Sequence, residues 1–196
     1  MWCKPVICYK NRSARIGQAA SPLPVDIQNA IAAVMLGNDP LVLFTTLARD
    51  RRLFVKFFNS GLLDRGHLTI RQREIVIARV TAQCGTEYEW GVHIAAYGAK
   101  AGFSERQIAS LLGTGASDEN WSDEDRVLIR LCDRLHESCA VDDEMWDSLK
   151  SYHSEEAIIE LLMLAGCYRM VGCLVDGLGL PLEPNAPRFA DMSSTK

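Results

Sequence analysis

The stretch Arg71-Gln-Arg-Glu-Ile-Val-Ile-Ala-Arg-Val-Thr-Ala-Gln-Cys-Gly-Thr-Glu-Tyr-Glu-Trp-Gly-Val-His93 decides the fold. Ile70, Ile75, Ile77, Ala78 and Val80 recur at helical spacing, and the run reaches about Gln83 before Cys84-Gly85 breaks it. Just ahead, Thr69-Ile70-Arg71-Gln72 reads as a capping box: a Thr oxygen for the first free amides, with Gln three residues on. A second helix is predicted from Thr86 to Ala101, with Gly102 suited to end it in a left-handed conformation. Two helices joined at one glycine make a hairpin whose facing sides must be buried.

Outward from this hairpin the pattern stays helical. Toward the N-terminus, Ile27, Ile31, Val34 and Met35 mark one helix, ended by Gly37-Asn38-Asp39-Pro40. Short apolar helices are expected over Leu41 to Leu47 and Arg52 to Asn59, with Gly61 and Gly66 breaking the pattern before Thr69. Toward the C-terminus, Ser104-Glu105-Arg106-Gln107 is a second capping box, opening a helix through Leu112. After a Gly/Ser/Thr/Asp loop, Ser122 caps a helix carrying Val127, Leu128, Leu131 and Leu135. Asp142 or Asp143 starts another through Leu149, and Ser154 caps a long one to about Val175. No strand pattern and no fixed-period repeat occurs. The expected architecture is therefore all-α, a compact domain of helices packed antiparallel. Residues 1–24 read as an N-terminal arm, 25–182 as the helical domain and 183–196 as a Pro-containing tail.

Composition narrows the function classes. With 48% hydrophobic and 23% charged residues, 196 residues suit one core. A net charge of −4 without a Lys/Arg run gives no footprint for nucleic acid. The apolar stretch from Ala157 to Leu180 carries Glu160, Arg169 and Asp176, which suits a core helix better than a membrane span. The 7 cysteines are odd in number and form no Cys-x-x-Cys pair, so reduced thiols are expected. Lys4, Lys10, Arg12 and Arg15 interrupt any leader-like run, and a cytoplasmic location is expected.

Chemistry concentrates on the second hairpin helix. Thr86, Glu89, His93 and Tyr97 share one face, beside the small residues Gly91, Ala95, Ala96 and Gly98. A carboxylate one turn from an imidazole orients the ring and favours its charged form, so the pair can act as acid or base near neutral pH. If the hairpin closes at Gly85, Glu74 reaches the same pocket. The plainer reading is a solvated i,i+4 pair, which spacing alone does not exclude. Tyr88 and Trp90 are packing anchors or pocket walls. Arg71, Arg73 and Arg79 are solvated, paired or anion-binding. Cys84 is a small buried residue, or a thiol activated by the following helix N-terminus. One His among carboxylates lacks the second His of a facial triad, so no metal is expected. His67, His136 and His153 are expected at the surface.

At this segment the chain resembles the carboxymuconolactone decarboxylase family, which includes the alkylhydroperoxidase D-like proteins. The resemblance spans roughly Asp39 to Leu182. It rests on Arg73-Glu74, on Tyr88-Glu89-Trp90 with His93, and on Gly102-Phe103-Ser104. The apolar helix with Tyr168, followed by Gly179-Leu180-Pro181-Leu182, adds to it. In peroxidase members the motif is Cys-x-x-Cys-x-x-x-His with a glutamate upstream. Here the glutamate and histidine fall on Glu74 and His93, while the cysteine positions fall on Thr86 and Glu89. A disulfide-cycling peroxidase needs a thiolate and a resolving thiol there. The Tyr-Glu-Trp-x-x-His form is similar to the decarboxylase branch. That resemblance implies a cofactor-free carboxy-lyase or proton-transfer enzyme on a small carboxylated or lactone substrate. It makes His93, Glu89 and Glu74 catalytic and sets Tyr88, Trp90, Tyr97, Arg73, Thr86 and Cys84 around the substrate. A homo-oligomer, trimeric or hexameric, is also implied. Competing readings are an alkylhydroperoxidase D-like peroxidase and a non-catalytic oligomeric binding protein.

Overall fold

In the computed structural model the described residues are 14–60 and 62–192; Cys3, Cys8, Gly61 and most of the expected N-terminal arm lie outside them. In chain order the helices are α1 (Val25–Met35), α2 (Val42–Leu47), α3 (Arg51–Phe58), α4 (Ile70–Cys84) and α5 (Glu87–Tyr97). Next come α6 (Glu105–Leu112), a 3-10 turn (Gly115–Ser117), α7 (Asp123–Ser138), α8 (Asp143–Lys150), α9 (Glu155–Leu178) and α10 (Phe189–Met192). Among the described residues there is no strand, and the fold is all-α.

α4 is the element around which the others pack: it lies against α9, α7 and α5, and α6 also reaches it. Its Ile75, Val76, Ile77 and Ala78 are essentially without solvent contact, and Leu128, Leu131, Leu161 and Leu164 close over them from α7 and α9. Burying such side chains contributes about 1.5–3 kcal/mol each, which fixes which face of α4 points inward. Two smaller apolar clusters flank this core. Leu43, Tyr88, Val171, Val175 and Leu180 join α2, α5 and the end of α9. Ile27, Ile31, Ala48 and Phe54 join α1 to α3.

The helix starts are set by their side chains. Thr69 accepts from the Gln72 amide while Gln72 bonds back to Thr69, and Ser104 with Gln107 does the same for α6. Ser122, Asp142 and Ser154 each accept from the amide three residues on, opening α7, α8 and α9. At the other ends glycine decides. Gly85, at φ 75°, turns α4 into α5. α5 leaves regular geometry at Tyr97, earlier than the expected Ala101. The chain closes with Phe103 N donating to Gly98 O and Gly102 N to Ala99 O, a Schellman pattern with Gly102 left-handed.

The expectation for His153 needs correction. His153 is buried, not superficial: its amide donates to Leu149 O at the α8–α9 corner, its Nε2 has no partner, and burial lowers its pKa. A neutral ring there avoids an unpaired buried charge. The tail, described through residue 192, lies against the domain. It crosses α5 and ends in α10, whose Phe189 meets the Trp90 ring edge-on at 5.1 Å. α9 is, by length and composition, apolar enough to cross a membrane. One side of it forms core: Ile158, Leu161, Leu164, Tyr168 and Val171 are buried.

The packing makes two stability predictions. Leu128→Ala, at a fully buried position, should cost about 2–5 kcal/mol. Thr69→Ala, which removes one cap, should cost about 1 kcal/mol. Urea unfolding followed by circular dichroism measures both, and equal effects would contradict the ranking.

Candidate active site

Three helices build the site, and the Gly85 turn brings the first two together. α4 contributes Arg73 and Glu74, α5 contributes Glu89, His93 and Tyr97, and α9 contributes Tyr168. Glu74 is one of the inward residues of α4, so its carboxylate is carried into the core with its helix. His93 Nδ1 lies 2.7 Å from Glu74 Oε2, and His93 Nε2 lies 3.5 Å from Glu89 Oε1. The other Glu74 oxygen accepts from Arg73 Nε at 3.1 Å, and Arg73 Nη1 donates to Leu63 O at 3.1 Å.

Burial separates this cluster from a surface i,i+4 pair. The side chains of Glu74, His93 and Glu89 are only 2%, 5% and 8% exposed. Buried charges are costly unless matched. Here two cations, Arg73 and the imidazolium, face two carboxylates. Burial by itself lowers the His93 pKa; hydrogen bonding to Glu74 and Glu89, with their charges, overcomes this and leaves it at about 9. At neutral pH the ring is an imidazolium with both N–H groups present. Nδ1–H is committed to Glu74, whereas the long contact at Nε2 leaves that N–H poorly satisfied.

Aromatic rings hold the imidazole in place. Tyr97 stacks on it at 5.5 Å and Tyr168 meets it edge-on at 4.9 Å. Burial, then the neighbouring glutamates, hold the Tyr168 phenol well above its usual pKa, so it stays protonated. Arg73 lies over the face of Tyr97 at 5.2 Å, and Lys100 lies over the same ring at 5.0 Å. Glu89 Oε2 is a buried oxygen without a hydrogen-bond partner. That oxygen and the His93 Nε2–H are the groups of this cluster left without a close partner.

The structure thus gathers His93, Glu89, Glu74, Arg73 and Tyr97 in one place. Other residues singled out in the sequence face elsewhere. Tyr88 OH donates to Glu183 and accepts from Leu43 N at 3.1 Å, tying α5 to α2 and the tail. Thr86 Oγ1 donates to Asp176 Oδ2 at 2.8 Å, fastening α5 to α9; burial pushes that carboxyl up to about 6. Trp90 is fully buried in the main core. Cys84 lines a cleft of about 170 Å³ with Gln83, Cys132, Cys139, His136 and Arg169, whose walls do not include His93. Arg71 pairs with Asp125 at 2.9 Å, and Arg79 pairs with Asp133 at 2.7 Å.

Sequence reasoning did not find the place of Tyr168 against the imidazole. Its position on a distant helix is set by tertiary packing, and no local spacing encodes it. Cys167, next to it, donates to Ser60 O at 3.6 Å; burial, then Glu89, raise its pKa.

The profile of the carboxymuconolactone decarboxylase family matches residues 51–129, the span that holds this cluster's α4 and α5 residues. Among curated protein sequences, none matches this chain. Several solved structures share the fold. A variant of the debrominase Bmp8 in complex with 2,3,4-tribromopyrrole is 12% identical, with a TM-score of 0.75 over 90% of this chain and 94% of that one. An uncharacterized peroxidase-related protein from Silicibacter sp. TM1040 is 17% identical, with a TM-score of 0.75 over 89% and 96%. An alkylhydroperoxidase D core protein from Ralstonia eutropha JMP134, also peroxidase-related, is 18% identical, with a TM-score of 0.70 over 86% and 93%. At such identities the likeness is one of fold. The matched segment contains Arg73, Glu74, Glu89 and His93, and over it the chain is similar to the carboxymuconolactone decarboxylase family, on a helical fold shared with alkylhydroperoxidase D-like structures.

Proposed function

We propose that the chain is a cofactor-free acid–base enzyme of the carboxy-lyase or proton-transfer type, acting on a small lactone-like or carboxylated molecule. The observation that carries this reading is the buried His93 imidazolium held between Glu74 and Glu89. A strongly perturbed, fully buried titratable group with a named charge partner is a mark of functional sites.

In such a reaction the substrate carbonyl oxygen takes up the hydrogen bond from His93 Nε2–H. Loss of carbon dioxide breaks a carbon–carbon bond, and its electron pair passes into the lactone as an enolate. The carbanion-like carbon then takes the Nε2 proton, and the imidazole regains one from solvent. Glu74 holds Nδ1–H and so fixes the direction in which Nε2 points. Glu89 Oε2, which lacks a partner, accepts from a hydroxyl or N–H group on the substrate. Arg71, Arg73 and Arg79 are committed to Asp125, Glu74 and Asp133. Of these groups and His93, the imidazolium is the cation left to meet a substrate oxygen.

A thiol peroxidase finds less support. Positions 86 and 89 are Thr and Glu, and Cys167 beside the site is held protonated by burial and by Glu89. Hydroperoxide consumption with a dithiol reductant should therefore be unaffected by Cys167→Ser.

Turnover of a panel of carboxylated lactones, followed by carbon dioxide release and by deuterium uptake from heavy water, tests the main reading. His93→Gln should lower kcat by about 10²–10⁴-fold; a variant as fast as the parent removes His93 from the mechanism. Glu74→Gln should shift the alkaline limb of the kcat profile to lower pH, because a partner that raises the imidazole pKa is lost.

The same ring links pH to folding. Its folded pKa of about 9 lies above the ordinary histidine value of 6.5. Its stabilisation is complete below pH 6.5 and is lost as pH rises through about 9. The melting temperature of the parent should consequently fall more steeply from pH 6.5 to about 9 than that of His93→Gln.

A further inference from the structure

The side of α9 turned away from the core carries a regular exposed stripe: Ile159, Met163, Gly166, Met170, Cys173 and Gly177. Ile159, Met163 and Met170 are 58%, 56% and 43% exposed. Open space surrounds Gly166 and Gly177. The intervals alternate between four and three residues, the heptad spacing by which two helices pack along one another. At 1.5 Å per residue the stripe runs about 27 Å.

Its pattern is self-complementary in one orientation. If two copies of α9 lie antiparallel with their two-fold axis at residue 168, Ile159 faces Gly177, Met163 faces Cys173 and Met170 faces Gly166. Each bulky side chain meets a glycine or a cysteine. Parallel pairing in register would instead set Ile on Ile and Gly on Gly, leaving gaps beside collisions. The charges agree with the antiparallel choice. Glu155 and Glu156 are exposed in the first turn of α9. The exposed Arg15 sits at the other end, donating from Nη1 to Gly177 O at 2.9 Å and from its amide to Leu178 O at 2.9 Å. Antiparallel pairing brings the Arg15 of one copy to the glutamates of the other; parallel pairing would cluster like charges.

We propose that this face binds a second copy of the chain, giving a two-fold dimer through antiparallel α9 helices. Such an isologous contact also suits the two-fold edges of a hexamer, but by itself does not make a trimer. The interface goes beyond the acid–base reading and stands or falls separately from it.

Sedimentation velocity between 1 and about 100 µM, the upper value chosen to hold even a weak interface together, should show an even-numbered oligomer. M163E/M170E should dissociate it without changing helicity. Arg15→Glu should weaken association at low salt, and adding E155R/E156R should restore it. Independently of folding losses in those variants, M163C should form an intermolecular disulfide with native Cys173 under mild oxidation, because the register sets them opposite one another. The Cys173→Ser variant of that protein should abolish the cross-link. A monomer throughout the range, an oligomer indifferent to M163E/M170E, or an M163C protein that does not cross-link through Cys173 would each overturn the proposal. A monomer that co-floats with phosphatidylcholine vesicles through this stripe would overturn it in favour of a lipid surface.

Discussion

The contact on which the site depends is the hydrogen bond between Glu74 on α4 and His93 on α5, at 2.7 Å and between two buried side chains. It is strong because both partners carry charge and solvent does not compete. It is also demanding. Were the hairpin to open, the buried Glu74 carboxylate and the imidazolium would lose one another, so the turn at Gly85 and the inward face of α4 must hold to within the length of a hydrogen bond. The apolar packing of α7 and α9 against α4 meets that demand. Core and chemistry therefore share one helix, with Glu74 and Ile75 neighbours in sequence and both buried.

The polar contacts around α5 show how the rest of the structure keeps this geometry. Thr86 ties the start of α5 to Asp176 on α9, and Tyr88 ties it to Leu43 and Glu183. Neither side chain approaches His93, yet each fixes the axis along which Glu89 and His93 project. Tyr97 and Tyr168 then limit the tilt of the imidazole. Positions 86 and 89 serve two purposes: Thr86 fastens a helix, and Glu89 places a buried carboxylate beside Nε2.

Much of the fold was legible because its signals are local. Thr69, Ser104, Ser122 and Ser154 open helices as their side chains dictate, and Gly85 and Gly102 close them. The face joining Glu89, His93 and Tyr97 is set by helical spacing, and Glu74 joins it once the hairpin closes. What escaped depends on contacts between residues far apart in the chain. Spacing places neither Tyr168 against the imidazole nor Tyr88 against Glu183. It does not tell that Arg73 is committed to Glu74 and the Leu63 carbonyl rather than to an anion. His153 looked superficial beside Tyr152 and Ser154, and only the α8–α9 corner buries it.

The tail that crosses α5 approaches very closely at Gly91. A Cβ built there would stand 2.6 Å from Pro187 O and 3.2 Å from the Ala186 methyl. Position 91 and the crossing at 186–187 therefore cannot drift independently. Any side chain at 91 must be accompanied by a rerouted C-terminus, and a chain shortened before residue 186 frees position 91 to accept Ala or Ser. Within this lineage, the length of the C-terminus and the identity of one residue on the helix that carries His93 should change as a single inherited unit.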